Sequence, residues 1–238
     1  MQKNTSIPYG YISAFFVLIL IVLAWGFHRT YTIYFPHFKG FKFAQHFHGA
    51  IMLLWMFILI AQPLLIRYNK VQIHRAIGKF TYILAPVLFV ALFLVSRMVY
   101  LRTLSTGGTQ AEAIGSMTNS IPDLIDFIVL YSLAVIYRKN TFRHMRFMIC
   151  TSFLMIGPGL GRALFIYFKL PDIQVTQINT IVILSIGLFL WITDIVKGKW
   201  LSPYVAGILA ILFMRLCYFN MYSSAWQSFG SFIARHLY

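Results

Sequence analysis

The sequence predicts an all-α protein, a polytopic transmembrane helical bundle of about seven spans forming a single integral-membrane domain over residues 1–238. Apolar residues make up 60% of the chain and charged residues 11%, too few charges to cover a soluble surface of this size. Several apolar runs approach the roughly 20 residues that a helix needs to cross a hydrocarbon core. The cations, which give a formal net charge of +15, stand in short clusters between those runs. That dispersion suits membrane anchors and excludes a nucleic-acid surface.

The spans expected in chain order are Tyr11–Phe27, Ala44–Ile66, Ala76–Val99, Ile121–Tyr137, Met145–Phe168, Ile178–Val196 and Pro203–Tyr218. The first run ends in "WGFHRTY" without a small-x-small cleavage site, so it is read as an uncleaved span. "STGGTQAEAIGSMTNS" reads as a flexible exposed loop. Ser120-Ile-Pro-Asp after it predicts a helix start: a capping hydroxyl, an early proline and an acid in the first turn. In residues 219–238, Trp226, Phe229, Ile233 and Leu237 recur at helical spacing, as in an interfacial helix or a tail packed on its neighbours. Cys150 and Cys217 fall within spans and read as small buried hydrophobes.

Three loops share one side if there are seven crossings. They carry Arg67, Lys70, Arg75 and Lys79, then Arg138, Lys139, Arg143 and Arg146, then Lys197 and Lys199. Glu112, Asp123, Asp126 and Asp172 fall on the other side, with Arg29, Lys39 and Lys42 softening the bias. The cation asymmetry predicts a multi-pass membrane protein with its N-terminus in the cytoplasm and its C-terminus outside.

Polar residues inside spans are candidate functional groups, because lipid rejects them. Arg162 follows the Gly157-Pro158-Gly159 break, which predicts a kink and a cavity for an anionic or carbonyl group. Asp123 and Asp126, three apart on one helix face, are its candidate partners, and Arg97 and Arg215 lie in the same half. His46 and His48 enter the second span on different faces, His48 the deeper. His74 and His144 each open a span on the cation-rich side, where Asp194 also lies. Neutral imidazoles on two helices suit a haem iron or a transition metal, and equally suit hydrogen bonds to loop carbonyls.

The stretches "HFHGAIMLLWMFILIAQPLL", "QIHRAIGKFTYILAPVLF" and "HMRFMICTSFLMIGPGLGRALF" resemble a family of bacterial polytopic inner-membrane proteins of unknown function. That family opens one span with histidine-arginine-x-x-glycine and a later one with a histidine-arginine-x-methionine-like motif. The matching residues are His74, Arg75 and Gly78, then His144, Arg146, Met148 and Arg162, with Met145 standing where the family commonly has arginine. The resemblance covers roughly residues 45–168. It implies topology and these positions, and it names no reaction.

Three functions follow as expectations. The first is small-molecule transport or sensing through a polar cavity of Arg162 with Asp123 or Asp126. Membrane electron transfer is the second, with b-type haem or another metal on His74 and His144 and a second group on His48 and His28. In the third, the chain is an assembly subunit whose partner is another membrane protein. No HExxH, CxxC, phosphate-binding loop or nucleophile elbow is present. The last span offers no lysine for a retinal Schiff base.

Overall fold

The computed structural model describes residues 9–238, so the first eight residues, and the side of the membrane expected for them, lie outside the description. The described residues are all-α, with no strand among them. The helices are α1 (Tyr9–His28), α2 (Phe43–Arg67), α3 (Val71–Ser105), α4 (Gln110–Ser116), α5 (Ile121–Ile136), α6 (Thr141–Tyr167), α7 (Asp172–Ile195), α8 (Tyr204–Phe219) and α9 (Ser224–Leu237). Six segments are long and apolar enough to cross a membrane, with α4 and α5 together forming one of them. The count becomes seven if α8 and α9, bent by 93° at their junction, form one broken span.

The architecture is consistent with a membrane protein for a physical reason beyond length. Leu18, Ile21, Ile83, Ile181 and Phe189 are each more than half exposed within their helices. Water would penalise that apolar belt and lipid would not.

Sharp turns bring successive helices side by side. Between α2 and α3 the chain reverses at Asn69, whose φ of 59° is a left-handed conformation that asparagine tolerates. Asn140 caps α6 by accepting from Arg143 N at 3.1 Å. The most deeply embedded helix is α6, which packs against α1, α5, α7 and α8. At its crossing with α1 no side chain separates the backbones: a Cβ on Gly26 would lie 2.0 Å from the Gly159 carbonyl oxygen. Glycine permits that approach, as small residues do at helix contacts in membranes. The helix continues as one element through Pro158.

Two local expectations are corrected. The stretch read as a flexible loop contains α4 and a short 3₁₀ turn, with Ala113, Ile114 and Met117 buried. Thr109 and Glu112 form a capping box: Glu112 N donates to Thr109 Oγ1 at 3.2 Å, and Thr109 N donates to Glu112 Oε2 at 2.7 Å. This T-x-x-E start signal was hidden among turn-forming residues. Ser120 does precede α5, with Pro122 and Asp123 in the first turn, but its hydroxyl donates to Met117 O at 3.5 Å and caps nothing.

The tail folds against the bundle. Trp226 and Ile233 are buried, Phe229 and Leu237 are exposed, and Trp226 Nε1 donates to Ile114 O at 3.2 Å. Beyond α9, Tyr238 donates its hydroxyl to Ser96 Oγ at 2.5 Å, and Arg97 Nε donates to the Tyr238 main-chain oxygen at 2.8 Å. Arg97 therefore anchors the tail.

Candidate functional site: a polar lane through the bundle

On helix α2, His48, Trp55 and Gln62 stand seven residues apart. Seven residues make almost two helical turns, so the three share a face and stand about 10 Å apart. Each has a buried polar atom without a hydrogen-bond partner: His48 Nδ1, Trp55 Nε1 and Gln62 Oε1. Trp55 is 0% exposed and packs edge-on against Phe127 and Tyr131 of α5, so the lane faces the bundle interior. An orphaned buried polar atom costs about 1–3 kcal/mol. Three in register mark α2 as the wall of something other than a dry core. The heptad spacing was visible in the sequence; the face it presents was not.

At the cation-rich end the lane meets His74. Gln62 Nε2 donates to His74 O at 3.3 Å, while His74 Nδ1 is buried and unpartnered. As His74 stands in the first turn of α3, His144 stands in the first turn of α6. Its Nδ1 stands 2.8 Å from Ala134 O. A carbonyl only accepts, so Nδ1 carries the proton and the Nε2 of the neutral ring is left as a lone pair. One turn after His74, a Cβ on Gly78 would meet no atom within 4 Å. No group of three or more His, Cys, Asp or Glu able to hold a metal occurs among the described residues. A tetrahedral protein-only zinc centre therefore has no ligand set here.

The opposite end separates residues that the sequence grouped together. Arg162 donates Nη1 to Pro158 O at 2.9 Å, and its guanidinium carbon lies 4.2 Å from the centre of the Phe27 ring. It forms no ion pair with Asp123 or Asp126. Helix α5, which carries Asp123 and Asp126, packs against α8, which carries Arg215, and Asp126 is 7% exposed. Asp123 Oδ1, Asp126 Oδ2 and Arg215 Nε are buried without partners. Asp172 of α7 accepts from the hydroxyl of Tyr218, on the same helix as Arg215. His28 is exposed at the end of α1, whereas the His48 Nδ1 is buried. His46 is engaged by the Tyr31 hydroxyl at 2.5 Å.

One strong interaction was missed. Arg146 donates Nε and Nη2 to the two carboxylate oxygens of Asp194, each at 2.5 Å. Ser202 Oγ donates to the same carboxylate at 2.6 Å, and the guanidinium carbon lies 3.6 Å from the centre of the Phe142 ring. The available signal was that Asp194 is the one acid of five on the cation-rich side.

No family model, no curated protein and no solved structure matches the chain, so the lane and its two ends carry the functional argument by their own chemistry.

Proposed function

We propose that the chain is a multi-pass inner-membrane redox protein that holds a b-type haem at the cation-rich end, with His74 and His144 as its protein ligands. The carrying observation is the state of these two histidines: His144 has its Nδ1 proton committed to Ala134 O, and His74, likewise in the first turn of its helix, has an unpartnered buried nitrogen. Two protein ligands suffice only for a metal that brings its own equatorial donors, and a porphyrin does. The Ala134 carbonyl orients His144 in the way outer-shell acceptors orient ligating histidines. Gly78 leaves room beside His74, and Gln62 offers an unused acceptor. When bound, such a group supplies one-electron chemistry. The cation bias supports a cytoplasmic position for this end.

Transport or sensing is the second reading, and the Asp123, Asp126 and Arg215 cluster favours it through its three unpartnered buried atoms. It ranks lower because Arg162, whose cavity motivated it, stands over Phe27 instead.

The test is the visible spectrum of protein expressed with a haem precursor and purified in mild detergent. Reducible Soret and α bands with one haem per chain are expected, lost in His74→Ala and in His144→Ala. A folded, colourless wild-type protein that takes up no haem on reconstitution overturns the reading.

A further inference from the structure

At the cation-rich end a cleft of 470 Å³ lies between the turn that follows α5 and the loop that joins α7 to α8. That volume falls within the roughly 300–1,000 Å³ of pockets that hold small ligands. Its walls are aromatic. On one side Tyr137 and Phe147 stack with their ring centres 5.7 Å apart. Trp191 and Trp200 form the other side, tied by donation from Trp191 Nε1 to Trp200 O at 3.2 Å. The cleft is open at its rim, where Trp200 is 68% and Leu201 92% exposed. Tryptophan and leucine held that far from the protein suit the edge of a bilayer and not water.

The charges at this cleft are unbalanced. Arg143 lines it, with its guanidinium carbon 4.7 Å from the centre of the Tyr137 ring. Lys199, next to Trp200 in the chain, reaches back to the first turn of α6, where its Nζ lies 6.0 Å from the centre of the Phe142 ring. Arg138 and Lys139 directly follow Tyr137. Asp194, the one acid on this side, has its carboxylate taken up by Arg146 and Ser202. That pair is the single salt bridge among the described residues, so neither Arg143 nor Lys199 has a carboxylate partner there. A basic pocket with aromatic walls, open to lipid at the end of a span, matches a phosphodiester headgroup. A neutral ligand would fit the walls and leave the cations unanswered.

We propose that this cleft binds an anionic phospholipid, with Arg143 and Lys199 on its phosphate. Phe147, Trp191 and Trp200 flank the glycerol backbone, and the exposed Leu201 meets an acyl chain. A bound lipid would tie the α7–α8 loop to the first turn of α6, beside the fork of Arg146 and Asp194. The site uses neither His74 nor His144, so it stands whether or not haem is bound.

Native mass spectrometry of the full chain in detergent provides the test. Dioleoylphosphatidylglycerol is the probe, and dioleoylphosphatidylcholine, with the same acyl chains on a zwitterionic headgroup, is the reference. Wild-type protein should retain one phosphatidylglycerol in preference to phosphatidylcholine by at least about fivefold, as two cations near a membrane surface warrant. Arg143→Gln combined with Lys199→Gln should abolish that preference. Ala206→Trp, which fills the cleft from α8 and alters no charge, should abolish retention itself. Lys39→Gln combined with Arg235→Gln, which removes two exposed cations away from the cleft, should leave both unchanged. Equal retention of the two lipids by the wild type overturns the proposal. So does a preference that survives in Arg143→Gln with Lys199→Gln, or retention that survives in a folded Ala206→Trp. An equal loss in the Lys39 and Arg235 control overturns it as well. If Ala206→Trp does not fold, the exposed pair of Arg143 and Lys199, read against that control, decides the matter.

Discussion

Arg146 and Asp194 meet through two parallel hydrogen bonds of 2.5 Å, across 48 residues of sequence, at side-chain exposures of 11% and 1%. This fork joins α6 to the end of α7, and Ser202 ties the α7–α8 loop to the same carboxylate. Removing one partner of a buried pair leaves the other charge uncompensated, at a cost of about 3–5 kcal/mol. Asp194→Ala should therefore lower thermal stability in detergent far more than Arg146→Met combined with Asp194→Leu, which removes both charges. The buried thiols Cys150 and Cys217 provide the readout, because a thiol-reactive dye reports their exposure on unfolding. Equal losses in the single and double variants would refute the pair as an energetic unit.

The glycines divide into two kinds. Gly26→Ala places a methyl group against the Gly159 carbonyl and should destabilise the α1–α6 contact by about 1–3 kcal/mol. Gly78→Ala adds the same atom where it meets nothing. In haem-free protein it should be neutral or stabilise by up to about 1 kcal/mol, since alanine favours a helix over glycine. Gly78→Leu should lower haem retention without loss of helicity by circular dichroism. An equal melting-temperature loss in both alanine variants would contradict the close crossing.

Topology can be read against a silent background, because both native cysteines are buried. Lys39 lies in the α1–α2 loop and Lys70 in the turn between α2 and α3. A membrane-impermeant maleimide added to intact cells should label Lys39→Cys and spare Lys70→Cys until the cells are opened. Labelling of Lys70→Cys alone in intact cells would invert the orientation derived from the cation bias.

The sequence alone determined that the protein is helical and where its long apolar segments fall. Both follow from local quantities: hydropathy summed over one turn after another, and the need of every backbone group for a partner inside its own helix. Its errors were also local. The T-x-x-E cap of α4 was obscured by surrounding glycine and threonine, and the Ser120 hydroxyl turned to Met117. Only the tertiary structure decided which residues meet. Helix rotation turned His48, Trp55 and Gln62 inward as one lane and placed Arg162 over Phe27. It also joined Arg146 to Asp194. Those pairings depend on which helices touch and at what angle, and close crossings such as Gly26 on Gly159 set both. Periodicity along one helix carries no record of the helix it will face.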